Sequence, residues 1–184
     1  MKDERSHPAS TKYDNKNSEC VFTGFIVMGV SGSGKSTIAR RLAEEMDWDF
    51  LDADDFHPPA NIVKMKSGNP LSDSDRDPWL SALNEMLIST LGAGRHPVLA
   101  CSALKESYRT KLRRGTDGLQ IVYLRGSYDL IRSRISKREG HYMKPEMLRS
   151  QFDALEEPVH ALVMDILLTP DEIAEKIVRT IRTR

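Results

Sequence analysis

The stretch GVSGSGKS, residues 29–36, decides how this chain is read. It fits the pattern G-x-x-x-x-G-K-[ST] in full, and that pattern carries weight only between a strand and a helix. Both are expected here. Residues 21–28 (VFTGFIVM) are a short β-branched and aromatic run that stops at Gly29, which predicts a buried strand. Residues 35–46 then place Ala39, Leu42, Ala43 and Met46 at helical spacing. Between them, Gly29, Gly32 and Gly34 permit a tight turn that points successive N–H groups inward as an anion nest. The helix start adds its partial positive charge. Gly29, Val30, Ser31, Gly32, Ser33, Gly34, Lys35, Ser36 and Thr37 are therefore expected to wrap the phosphates of a nucleotide. Lys35 would reach the β- and γ-phosphates, and the Ser36 hydroxyl would ligate Mg²⁺.

Outward from the loop, short apolar runs alternate with helical patterns. WDFLD (48–52), PVLACS (97–102), LQIVYL (119–124) and HALVMDILL (160–168) read as four further strands. Asp77 before Pro78 reads as a helix cap with proline at the first position. Leu80, Leu83, Leu87 and Leu91 then line one face, and Gly92 and Gly94 end it. Ser127 caps a helix that turns Tyr128, Ile131 and Ile135 inward. Thr169-Pro170-Asp171-Glu172 is a capping box that opens the last helix, with Ile173, Ile177 and Ile181 on its core face. This alternation predicts an α/β fold with a five-stranded parallel sheet covered by helices on both faces, a three-layer arrangement.

A length of 184 residues suits one domain, and residues 21–184 show neither repeat nor interdomain linker. Residues 1–20 are polar and mixed in charge, and are expected to be a disordered tail. The formal net charge is zero, so no global field argues for nucleic acid or membrane. Locally the charge is split: residues 52–77 carry six Asp against Lys64, Lys66 and Arg76, and residues 132–149 carry six Lys/Arg against Glu139 and Glu146. A site with metal at one wall and anion binding at the other would look like this, as would two solvated faces. Of the two cysteines, Cys101 lies in an apolar run and reads as core, which favours a reducing, cytoplasmic setting. No apolar stretch is long enough to span a bilayer.

LDADDFHP, residues 51–58, puts Asp52, Asp54 and Asp55 within four positions. In a parallel sheet the carboxyl ends of the strands face the nucleotide, so Asp52 is aimed at that crevice. PVLACS supplies no acid where a metal-binding Asp would usually stand, which leaves Asp52 as the metal-side acid and Asp54 as the base for an acceptor hydroxyl. Asp55 reads as an exposed turn residue.

Four stretches together resemble the gluconate kinases: GVSGSGKS, LDADDFHPPANIVKMKSGNPLSDSDRDPWL, CSALKESYR and SRISKREGHYMKPEMLRSQFDALEEP. These are small P-loop kinases related to shikimate and nucleoside-monophosphate kinases. The resemblance implies transfer of phosphate from ATP, with Mg²⁺, to D-gluconate to give 6-phosphogluconate. It implies a substrate-binding segment at about 54–95 and a helical lid at about 132–149. Arg76, Lys105 and Arg109 fall where an acceptor carboxylate would be bound, His57 and Asn61 suit a polyol, and Arg134 and Arg138 fall where lid arginines cover phosphates. A small-molecule partner is thus expected, with a homodimer left open. A shikimate-like acid or a nucleoside monophosphate stays as the alternative acceptor.

Overall fold

Strand β1, Gly24–Met28, is wholly buried and stands at the centre of a five-stranded sheet. The other strands are β2 Asp49–Asp52, β3 Pro97–Ala100, β4 Leu119–Arg125 and β5 Leu162–Asp165. All pairings are parallel, in the order β2-β3-β1-β4-β5. The computed structural model describes residues 22–137 and 145–183. The expected tail at 1–20, Arg138 and much of the expected lid thus lie outside the described residues.

Side chains alternate across a strand, and β1 feeds both layers of the core. Phe25 and Val27 pack with Ile38 and Leu42 of helix α1 (Lys35–Met46) and Ile131 of α5 (Tyr128–Ser136). Ile173 and Ile177 of α7 (Pro170–Arg182) close the same layer. Ile26 and Met28 face the other way, onto Leu83 and Leu87 of α3 (Asp73–Gly92) and Leu112 of α4 (Glu106–Leu112). Burial on both faces explains why β1 and β3 read as continuous apolar runs. The edge strand β5 buries only Leu162 and Met164 and leaves Val163 and Asp165 outward, so it is shorter than the apolar run that announced it. Among the described residues no helix is long and apolar enough to cross a membrane.

The helix expected to start at Asp77 starts at Asp73 instead. Ser72 caps it: its hydroxyl accepts from Asp75 N at 3.2 Å, and Asp75 Oδ2 accepts from Ser72 N at 2.6 Å. This is a capping box with aspartate in the glutamate position. Reinforced by Asn61 and Lys64, which both donate to Asp75, it prevails over the local signal of Asp77-Pro78 and leaves Pro78 inside the helix. The consequence is functional, because Asp73 and Arg76 now ride on a fixed helical turn. Two short helices lie in the segments flanking the site, α2 (Pro59–Lys66) and α6 (Pro145–Asp153).

Candidate active site

The loop after β1 folds as its glycines require. Gly34 takes φ 96° at the cap of α1, and Gly32 takes φ 80°, where a Cβ would lie 2.7 Å from Ile135 Cγ1. Both are left-handed conformations that favour glycine. Lys35 Nζ donates to Val30 O at 3.1 Å, folding the side chain back over the loop. Ser33 Oγ is buried and has no hydrogen-bond partner among the described residues.

Sheet register carries the acids to this loop. Asp52, the last residue of β2, pairs with Ala100, which in turn pairs with Val27 of β1. Cys101 N donates to Val27 O at 3.1 Å, and Gly29 N to Ser102 O at 3.4 Å. Cys101, directly after β3, is buried in the α3-side layer of the core. Burial pushes its thiol up to about 12, while the charges of Lys35, Asp54 and Asp52 all act on it. Asp52 Oδ1 accepts from Asp54 N at 3.1 Å and thereby starts a 3-10 turn, Ala53–Phe56. That turn projects the Asp54 carboxylate into solvent, with its side chain 87% exposed.

His57 follows the turn and stacks on Trp79, ring centroids 4.2 Å apart and planes 13° from parallel. Trp79 is itself fixed by its Nε1–H, which donates to Ala53 O at 2.8 Å. His57 Nε2 lies 3.9 Å from Asp54 Oδ1. Burial lowers the His57 pKa, Asp54 opposes this and Arg76 reinforces it. The imidazole is therefore neutral at neutral pH, a hydrogen-bonding group rather than a cation.

The expected carboxylate clamp is only partly present. Arg76 and Lys105 converge: both approach Asp73, and Arg76 Nη1 lies 3.4 Å from the Tyr108 hydroxyl. Arg109 does not join them. It is buried, donates to Ala103 O and Leu104 O at 3.0 and 2.9 Å, and forks onto Glu106 Oε2 at 2.9 and 2.7 Å. Its charge serves the turn before α4, because a buried guanidinium needs every partner it has. Asn61 is likewise buried and donates to Asp75 O at 2.9 Å, fastening α2 to the start of α3 rather than facing a polyol. Arg134 donates to Ile166 O in the turn after β5. Three contributors had no sequence signal: Asp73, Tyr108, and Gln151 of α6, whose Oε1 accepts from Ser31 N at 2.6 Å.

A phosphate-cradling loop after the central strand of a parallel 2-3-1-4-5 sheet, with acids at the neighbouring strand end, defines a P-loop kinase of the nucleoside-monophosphate-kinase-like fold. The profile of the AAA domain family matches residues 25–162. The thermoresistant gluconokinase of Escherichia coli (strain K12) is 46% identical over 146 residues, covering 77% of this chain and 83% of its own length. A gluconokinase from Sinorhizobium meliloti 1021 superposes with a TM-score of 0.79 at 40% identity, covering 88% of this chain and 95% of the other. A sugar kinase from Janibacter sp. HTCC2649 gives 0.81 at 42% identity, covering 86% and 94%. The chain belongs to the gluconokinase family.

Proposed function

We propose that the protein transfers the γ-phosphoryl group of ATP to the terminal hydroxyl of D-gluconate, giving 6-phospho-D-gluconate. The observation that carries this reading is a juxtaposition. The phosphate loop and the Asp52–Asp54 turn share one end of the sheet, and the Arg76–Lys105 pair flanks them from α3 and α4. An acceptor with a hydroxyl at one end and a carboxylate at the other fits two such poles. Membership of the gluconokinases supports the same acceptor.

In this reading the loop amides and Lys35 hold the β- and γ-phosphates, so the transferring group is positioned and its developing charge is neutralised. Asp54 accepts the proton of the attacking hydroxyl, and neutral His57 orients that carboxylate. Arg76 and Lys105 take the carboxylate of gluconate, the arginine through its planar fork. The expected role of Arg138 at the phosphates falls outside the described residues. Among the described residues no group of three or more His, Cys, Asp or Glu could hold a metal by itself. Mg²⁺ is commonly held by one or two protein oxygens, water and substrate phosphates. Ser36 and Asp52 would be those oxygens, and the ion when bound supplies charge neutralisation at the phosphates.

A panel assay of ATP consumption tests the reading with gluconate, glucose, shikimate, AMP and CMP as acceptors. Turnover is expected with gluconate alone. Preferred turnover of shikimate or of a nucleoside monophosphate would replace it.

A further inference from the structure

The two cations assigned to the acceptor's carboxylate already hold a carboxylate of this chain. Lys105 Nζ donates to Asp73 Oδ1 at 2.9 Å and to Oδ2 at 2.7 Å. Arg76 Nη1 donates to Leu71 O at 2.7 Å and lies 3.7 Å from Asp73 Oδ1 as a looser ion pair, and the Tyr108 hydroxyl donates to the same oxygen. Asp73 opens α3 and Lys105 caps α4, so the pair joins two helix starts 32 positions apart. The arrangement has an inside and an outside. The Lys105 and Arg76 side chains are 30% and 27% exposed, while that of Asp73 is 64% exposed. The cations are the more buried partners, and the carboxylate is the one turned toward solvent.

We propose that Asp73 is an internal stand-in for the substrate carboxylate, which gains Arg76 and Lys105 only by displacing it; this rests on the reading that these two cations receive the acceptor's acid group. Lys105, Tyr108 and Arg76 lower the Asp73 pKa, so the side chain is ionised at neutral pH and always competes. Two carboxylates cannot share the cations at full strength, because the second would sit within a few ångströms of a like charge. Displacement is nevertheless easy. An exposed ion pair is weak, and a freed Asp73 returns to water. The incoming carboxylate gains a bidentate partner in Arg76. A small anion with no other contact in the cleft has nothing further to offset the exchange. Asp73 thereby protects the cations from adventitious capture and sets the acceptor's apparent affinity, since a competitor within the chain lowers that affinity by the fraction of time it occupies the site.

The test is calorimetric titration of the nucleotide-free protein with gluconate and with D-glucitol, which lacks the carboxylate. Asp73→Asn keeps shape and helix-start character but not charge. Gluconate is expected to bind it roughly two- to fivefold tighter than it binds the parent protein, with the glucitol response unchanged. Asp73→Ser, equally tolerated at a helix start, should move in the same direction and guards against a folding artefact in the first variant. Unchanged or weaker gluconate binding in the folded Asp73 variants overturns the proposal. Arg76→Met and Lys105→Met in the same titration separate the two levels. If both leave gluconate binding intact, the carboxylate clamp itself fails. If both weaken it while Asp73→Asn does not strengthen it, only the stand-in role fails.

Discussion

The Gln151 side-chain carbonyl accepts the Ser31 backbone N–H at 2.6 Å, joining α6 to the phosphate loop across 120 positions. The loop owes its function to N–H groups held in fixed directions, and this contact anchors the loop backbone at Ser31, whose own N–H is engaged by Gln151 while its neighbours stay in register. Gln151→Met keeps the length of the side chain and removes the acceptor. One net hydrogen bond is about 0.5–1.5 kcal/mol, so kcat/KM for ATP is expected to fall by roughly three- to tenfold. Gln151→Glu keeps an acceptor but brings negative charge toward the triphosphate, and its loss should appear mainly in the KM for ATP. Steady-state kinetics over ATP concentration read both, and an unchanged Met variant would reduce the contact to packing.

Lys35→Ala removes the one loop side chain that carries charge to the transferring phosphoryl group. Turnover should be abolished. The Lys35 amine contacts Val30 O within its own loop, so the far-ultraviolet circular dichroism should match the parent. Retained turnover would end the phosphate-loop assignment.

Asp54→Asn preserves volume but cannot take a proton, and kcat should drop by roughly 10²–10⁴ with ATP binding little changed. Asp52→Asn can still accept from Asp54 N, so the 3-10 turn should survive and the loss should appear as a raised Mg²⁺ requirement. Asp55→Asn should be mild. If Asp55 were the most damaging of the three, the division of labour within the turn would be wrong.

Much of this was legible because its causes are local. The caps at Ser127 and Thr169 and the strands β1, β3 and β4 are written in runs of a few residues. The glycine loop is as well. What escaped depends on distance or on burial. Asp73 meets Lys105 across 32 positions, and Ser31 meets Gln151 across 120. No spacing rule reaches that far. Asp77-Pro78 is a stronger helix-start signal by itself than Ser72 with Asp75. Only Asn61 and Lys64 of α2, packed on Asp75, show why the earlier start holds.

Asp75 gives that start a pH dependence. Lys64 foremost, then Ser72, hold its carboxyl well below the ordinary value of 3.8. The folded pKa is depressed relative to the unfolded chain, so the stability it contributes is present above about pH 3.8 and is lost as pH falls through the lower folded value. Lys64→Met removes the largest cause of the depression. The acid-unfolding midpoint followed by ellipticity should therefore move to higher pH. An unmoved midpoint would show that the Lys64–Asp75 pair, 2.6 Å apart, does not hold α3 in place.

Arg109 and Arg76 make the sharpest contrast, since both fall in the sequence where an acceptor carboxylate would be bound and only one lies at the cleft. Removing the Arg109 side chain leaves the buried carbonyl of Ala103 without its donor, while Leu104 O keeps Glu156 N at 2.9 Å. Ala103 is held at φ 42°, a conformation that a non-glycine residue keeps only when its surroundings impose it. Each buried acceptor left unpaired costs about 1–3 kcal/mol. Arg109→Ala is therefore expected to destabilise the fold by about 1–3 kcal/mol and to lower the melting temperature by several degrees. Below that melt its KM for gluconate should stay near the parent value. Arg109→Lys should rescue little, because an ammonium cannot span two carbonyls and the Glu106 carboxylate with the same planar fork. Arg76→Ala should instead raise the gluconate KM by about tenfold, with a smaller fall in melting temperature that reflects its lost bond to Leu71 O. A thermal melt and a gluconate titration on the two alanine variants decide the matter. A raised KM in folded Arg109→Ala would return that arginine to the acceptor site.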